Sequence, residues 1–239
     1  MRRPLSCNRG FTLVELLVVI TIIGVLASLV FGSWSRIREY NRRTVCTSNL
    51  RQIGAGCIRY SIDWGDFFPS VFDPGGTSNP LKSLSLLYDS YIPLRKIFLC
   101  PSTADMCTDL QPGDSFAPHG IAGRNDPKPR QTSYGYDDTK GPLTDPEVPI
   151  AADAPPSTEE QVGGVSATPG AGSETAVMNS ANHKRGPTDR GGQNVLFCNG
   201  NVKWFVDPTA GINHDNIYDA TDKKNPGDTD SYIHQTSTQ

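Results

Sequence analysis

Gly10, Phe11 and Glu15 place a small residue, an aromatic and a lone carboxylate at the start of an apolar run that continues to Phe31. A small residue before an aromatic, behind a short basic leader, suits a proteolytic cut that leaves Phe11 with a new amine. An ionised carboxylate in such a run costs on the order of 2.5 kcal/mol or more at a bilayer centre, which makes Glu15 a functional candidate. The thiols form a second group. Cys7 lies in the leader, and Cys46, Cys57, Cys100, Cys107 and Cys198 follow. Cys46 and Cys57 fall on one predicted helix, roughly 16 Å apart along its axis, too far to bond each other. Cys46 or Cys57 with Cys100 is one disulfide pairing, Cys100 with Cys107 is its rival, and buried free thiols are the third reading.

Other chemistry is thinly represented. No C-x-x-C or C-x-x-C-H occurs, and His119, His183, His214 and His234 lack the spacing of a zinc-binding helix. Asp207, Asp215, Asp219, Asp222, Asp228 and Asp230 offer hard oxygens for calcium but fit no EF-hand spacing, so they read as a solvated acidic tail. Asp153, Asp189 and His183 could share a polar site that nothing in the sequence orients. With no G-x-S-x-G and no phosphate loop, the expectation is a protein that is not an enzyme, with no cofactor and no assigned metal.

The elements that must position these residues begin with the apolar run. From Phe11 to Trp34 it is long enough, at about 1.5 Å per residue, to cross a hydrocarbon core of about 30 Å, and no later segment is. The run exceeds a usual signal-peptide h-region and has no A-x-A-like site after it, which favours a cut before it, at Gly10. Arginines flank both ends, so charge alone leaves the orientation open. A net charge of -3 argues against nucleic acid as a partner, and the basic residues after the run suit lipid phosphates. Beyond it, Cys46, Leu50, Ile53, Cys57, Tyr60 and Trp64 recur in steps of four and three, one stripe of a helix. Asn49, Arg51, Gln52, Arg59 and Ser61 fall largely off that stripe. This predicts one continuous helix from Phe11 to about Asp63, stopped by Gly65.

The remainder predicts a short helix over Leu81 to Tyr91, an extended piece over Ile97 to Cys100, and strands over Val148 to Ala151 and Thr175 to Met178. A hairpin of Asn194 to Asn199 and Asn201 to Val206 would close through a two-residue type I′ turn at Asn199-Gly200. Thr103 to Thr132 and Ala154 to Glu174 read as loops, and Asp207 to Gln239 as a polar tail.

Gly10-Phe11-Thr12-Leu13-Val14-Glu15-Leu16-Leu17-Val18-Val19-Ile20 resembles the cleavage and methylation motif of type IV prepilins and type II secretion pseudopilins. The resemblance implies processing by a prepilin peptidase after Gly10, methylation of Phe11, and a role for Glu15 in recruiting subunits to a filament. Glu15 would then meet the Phe11 amine of a neighbour, and Gly24, Ala27, Ser28 and Gly32 would let N-terminal helices approach closely. Cys46-Thr47-Ser48-Asn49-Leu50-Arg51-Gln52-Ile53-Gly54, Tyr60, Asp63-Trp64-Gly65-Asp66-Phe67-Phe68-Pro69, Phe98-Leu99-Cys100-Pro101-Ser102, Ser133-Tyr134-Gly135-Tyr136 and Asn194-Val195-Leu196-Phe197-Cys198-Asn199-Gly200-Asn201-Val202 resemble a planctomycete and verrucomicrobial subfamily of pilin-like proteins. The subfamily's hairpin usually reads Asp-Gly where this chain has Asn199-Gly200.

The implied fold is α+β, a long N-terminal helix packed on a small antiparallel sheet. Its parts would be a leader over 1–10, a transmembrane half-helix over 11–34, a soluble half over 35–65, a globular body over 66–206 and a tail over 207–239. The implied function is a structural subunit of a secretion or pilus-like filament, with a membrane-anchored binding module as the rival. Its implied partners are the peptidase, other pilin-like subunits and the bilayer. The implied location is the inner membrane, single-pass, with the body on the periplasmic or extracellular side.

Overall fold

The structure is a computed structural model and describes residues 11–31, 34–71, 79–103, 132–154, 180–183, 191–214, 216–218 and 233. The chain divides into two compact units, Met1–Asn41 and Arg42–Gln239. In the first, helix α1 spans Leu13–Phe31. Its start is fixed by a reciprocal cap. Thr12 Oγ1 accepts from the Glu15 backbone N–H at 3.3 Å, and Glu15 Oε2 accepts from the Thr12 N–H at 2.9 Å and hydroxyl at 2.8 Å. This is the Ser/Thr-x-x-Glu capping box, in which two orphan donors of the first turn are satisfied at once.

The membrane reading is corrected here. Among the described residues, no helix is long and apolar enough to cross a membrane. Helix α1 has 19 residues, with Glu15 in its first turn. Helix α2, Trp34–Asp63, is longer, but its sequence carries Arg36, Arg38, Glu39, Arg42 and Arg43 in its first ten residues. The expected fold, a long N-terminal helix whose first half spans a membrane, is therefore overturned. The transmembrane half-helix, the inner-membrane location, the filament subunit held there and the anchored binding module all rested on that span and fall with it.

In the second unit, the predicted stripe on α2 is the face that packs. Cys46, Leu50, Ile53 and Cys57 are fully buried, whereas Trp64 at its end is 62% exposed and stacks on Tyr60. Asn49 lies off the stripe yet is buried, because its Nδ2 donates to the Leu99 carbonyl at 2.9 Å and reaches Tyr134 Oη at 3.3 Å. Gly65, at φ 68°, supplies the left-handed residue after the helix, and the Asp66 N–H closes back on the Ser61 carbonyl.

Four strands form one antiparallel sheet in chain order: β1 Tyr134–Tyr136, β2 Pro149–Asp153, β3 Gln193–Phe197 and β4 Val202–Phe205. Strands β1, β2 and β3 are buried at every position, so both faces are covered. Cys46, Leu50, Ile53 and Cys57 share one core with Tyr134, Tyr136, Ile150 and Leu196. Ala152, Val195 and Phe197 share the other with Ala210, Ile217 and Ile233. The segment read as a polar tail thus contributes Ile217 and Ile233 to a core, joined by an Ile233 N–H bond to the Ile217 carbonyl.

Three local expectations change. Helix α3 covers only Pro80–Ser85, capped by Asn79 with Pro80 in its first turn. Arg95–Phe98 is a 3₁₀ turn rather than an extended piece. The β3–β4 hairpin closes through Cys198, Asn199 and Gly200, with the Gly200 N–H bonded to the Phe197 carbonyl. Gly200 has φ 79° and Asn199 has no positive φ, so this is the three-residue turn ending in a left-handed glycine, not type I′. The Thr175 to Met178 strand lies outside the described residues.

Candidate metal centre

Cys46, Cys100, Asp153 and His183 come together from four separate segments, with one ligand atom of each within 4.8 Å of all the others. Each is positioned by ordinary backbone chemistry. Cys46 is the first buried residue of the α2 stripe. Cys100 follows the 3₁₀ turn; Asn49 holds the preceding carbonyl, and Thr103 donates through its N–H and hydroxyl to the Cys100 carbonyl. Asp153 ends β2, opposite Tyr134 of β1. His183 closes the 3₁₀ turn Ala181–His183, which is tied to the sheet by Asn182 Nδ2 donating to the Ser133 carbonyl at 2.7 Å.

All four side chains are buried, Cys100 the most exposed at 2%. Cys46 Sγ lies 2.7 Å from Cys100 Sγ, and Cys100 Sγ lies 3.7 Å from His183 Nε2. His183 Nε2 is also 3.4 Å from Asp153 Oδ2. The outer ring nitrogen, Nδ1, is 3.2 Å from Ser102 Oγ. Asp153 Oδ2 accepts from the Asn194 N–H at 2.6 Å and from Asn194 Nδ2 at 3.1 Å, while Asn182 Nδ2 reaches Oδ1 at 3.4 Å. Trp204 packs edge-on to His183, and the Arg43 guanidinium lies over the Trp204 ring at 4.0 Å.

The electrostatics divide the two thiols. The Cys46 proton is held in its bond to Cys100, and together with burial this raises the Cys46 pKa. The same bond lowers that of Cys100 against the effect of burial, so Cys100 is the thiol that ionises first. Burial pushes Asp153 upward, opposed by His183 and by the donors from Asn194 and Asn182. Two thiols, an imidazole and a carboxylate with lone pairs converging on one point are a donor set for a divalent cation of the zinc class.

The sequence pointed to parts of this cluster. Cys46 with Cys100 was one of its cysteine pairings, and Asp153 and His183 were two members of its unoriented polar group. It assigned no metal, because the ligands spread from 46 to 183 and no local motif unites them. The signal available was that Cys100 ends a predicted extended piece and Asp153 lies just past a predicted strand; nothing in the sequence marked the position of His183. Cys57 sits apart, beside Tyr136, and burial raises its pKa to about 12. Among the described residues Cys46, Cys57, Cys100 and Cys198 are free thiols. Cys107, Asp189, His119 and His234 lie outside the described residues, as do five of the six aspartates considered for calcium; His214 and Asp207 are exposed.

At the other end of the chain, Gly10 lies outside the described residues, Phe11 is 73% exposed, and Glu15 serves the cap of its own helix. The Thr12 bonds hold the Glu15 carboxyl below the usual carboxylate range. Residues 5–31 match the family model of the prokaryotic N-terminal methylation motif. The chain carries the cleavage and methylation motif characteristic of prepilin-like proteins. No curated protein and no solved structure matches it. The matched segment contains Gly10, Phe11 and Glu15 and ends before the cluster's first ligand.

Proposed function

We propose that this chain is the substrate of a prepilin-type peptidase, cut between Gly10 and Phe11 and methylated on the amine so released. Water hydrolyses the Gly10–Phe11 bond, leaving a carboxylate on Gly10 and an amine on Phe11, and an electrophilic methyl donor then replaces one N–H hydrogen. The observation that carries this reading is the motif match over residues 5–31. The local structure supports it: helix α1 begins only at Leu13, and Phe11 and Thr12 precede it in non-helical backbone with the Phe11 side chain exposed. A peptidase needs such a non-helical backbone segment at the bond it cuts.

The capping box gives Glu15 a part in the same event. A new ammonium group at Phe11 stands at the positive end of the helix dipole, where a cation is unfavourable and a carboxylate one turn away offsets it. The processed product is then a non-enzymatic body whose segments are joined through a buried polar cluster. The motifs recurring from Cys46 to Val202 support placing it in the pilin-like subfamily named above.

Co-expression of the full chain with an active prepilin peptidase tests the reading. The wild-type chain is expected to convert to a product beginning at Phe11, and Gly10→Val to remain at full length. Failure of the wild type to convert, or equal conversion of Gly10→Val, would overturn it.

A further inference from the structure

We propose that Cys46, Cys100, Asp153 and His183 form a closed, four-coordinate structural site for one zinc-class divalent ion. The donors select the ion: two sulfurs and an imidazole suit zinc, whereas magnesium and calcium take oxygen sets. The geometry agrees at two edges. A tetrahedron with bonds of about 2.3 Å to sulfur and about 2.0–2.1 Å to nitrogen and oxygen has edges of about 3.5 Å between N and S and about 3.3 Å between N and O. The corresponding distances are 3.7 Å from His183 Nε2 to Cys100 Sγ and 3.4 Å from His183 Nε2 to Asp153 Oδ2. The sulfur–sulfur edge of such a site is about 3.8 Å, whereas Cys46 and Cys100 stand at 2.7 Å. An entering ion must part the two sulfurs by roughly 1 Å, within reach of small χ1 rotations.

The surroundings are those that fix ligands in place. The outer nitrogen of His183 faces Ser102 Oγ, which aims Nε2 at the centre. The carboxylate of Asp153 is held by Asn194 and Asn182, and the Ser102 N–H points at Cys100 Sγ at 3.5 Å. Such outer bonds set the tautomer and orientation of metal ligands.

Binding releases the protons of Cys46 and Cys100 to solvent, leaves His183 neutral, and uses the Asp153 carboxylate. Three ligand charges against a divalent ion leave one negative charge, and the Arg43 guanidinium stands nearby over Trp204. No ligand position faces solvent, so the site has no room for a substrate and its role is to tie α2, the Cys100 turn, β2 and the His183 turn together. A Cys46–Cys100 disulfide is the competing chemistry, because it consumes both thiolates.

The test uses the full chain. Prepared without chelator, it is expected to carry about one equivalent of zinc by elemental analysis. After removal of zinc and titration with Co²⁺, it should show the thiolate charge-transfer and intense visible bands of a tetrahedral site. Cys57→Ser, a buried thiol outside the cluster, should keep both signatures, and His183→Ala should lose them. Ser102→Ala should bind about 10- to 100-fold more weakly. A Cys46–Cys100 disulfide in the peptide map of the isolated protein would overturn the proposal. So would the absence of tetrahedral cobalt bands in the fully reduced wild-type chain, a result that does not depend on any variant folding.

Discussion

Replacing Asp153 with alanine removes an acceptor at the centre of a buried network, and the structure gives the size of the loss. Oδ2 takes the Asn194 backbone N–H at 2.6 Å and an Asn194 side-chain hydrogen at 3.1 Å; Oδ1 takes only a long contact from Asn182, which keeps its 2.7 Å bond to the Ser133 carbonyl. The alanine variant therefore strands the Asn194 N–H and leaves Asn194 Nδ2 with only a long contact to His183 Nε2 at 3.4 Å, at a position with no solvent contact. At about 1–3 kcal/mol for each buried donor left without a good acceptor, the cost is about 2–6 kcal/mol. That is a large part of the roughly 5–15 kcal/mol that holds a domain together. Asp153→Asn, with its amide oxygen in the Oδ2 position, keeps an acceptor for both Asn194 donors and gives up only the long Asn182 contact at Oδ1, so it should cost only about 1 kcal/mol. Urea titration of the full chain in chelator, followed by tryptophan fluorescence, separates the network from any bound ion. The expected order is wild type, then Asp153→Asn, then Asp153→Ala, with the last two separated by at least about 1 kcal/mol. An alanine variant as stable as the asparagine variant would show that the donors find other acceptors and that the network argument is wrong.

Other expectations follow from single residues. Leu50→Ala empties a fully buried position between α2 and the sheet and should cost about 2–5 kcal/mol, read as a lower urea midpoint at unchanged slope. Gly200→Ala should cost on the order of 1 kcal/mol, because φ is 79° while an added Cβ would meet only Ile58 Cδ1 at 3.9 Å; the penalty is backbone strain, not a clash. Burial raises Cys57 from 9.0 to about 12, so its contribution to stability is complete below pH 9 and is lost as pH rises toward about 12. Cys57→Ala should accordingly show a shallower alkaline decline in urea midpoint than the wild type; parallel declines would count against the assignment.

The packing face of α2 could be read from spacing alone, because one helix laid on one sheet repeats its contacts every three or four residues from Cys46 to Cys57. Gly65 was legible as a stop for a local reason too: only a left-handed residue turns the chain there. The hairpin was legible in place but not in kind. Asn199-Gly200 favours a two-residue turn locally, yet the Cys198 N–H is bonded to the Val148 carbonyl, which keeps Cys198 on the β2 side and lengthens the loop by one residue. The second core was invisible because Ile217 and Ile233 stand alone in polar sequence. The membrane span was read from the apolar run alone, and among the described residues no helix is long and apolar enough to cross a membrane. Glu15, read as a partner for a neighbour, had a nearer partner in Thr12, and the Thr-x-x-Glu spacing already signalled that cap. The four-residue cluster depends on tertiary convergence across more than half the chain, which spacing does not encode.

The most direct measurement of the proposed processing is the mass and fragmentation of the N-terminal peptide of the protein made beside an active prepilin peptidase. Cleavage after Gly10 with modification gives a peptide that begins at Phe11 and is one methyl group heavier than its sequence, with the methyl on the amine. A peptide that still begins within residues 1–10, or one that begins beyond Phe11, would contradict it.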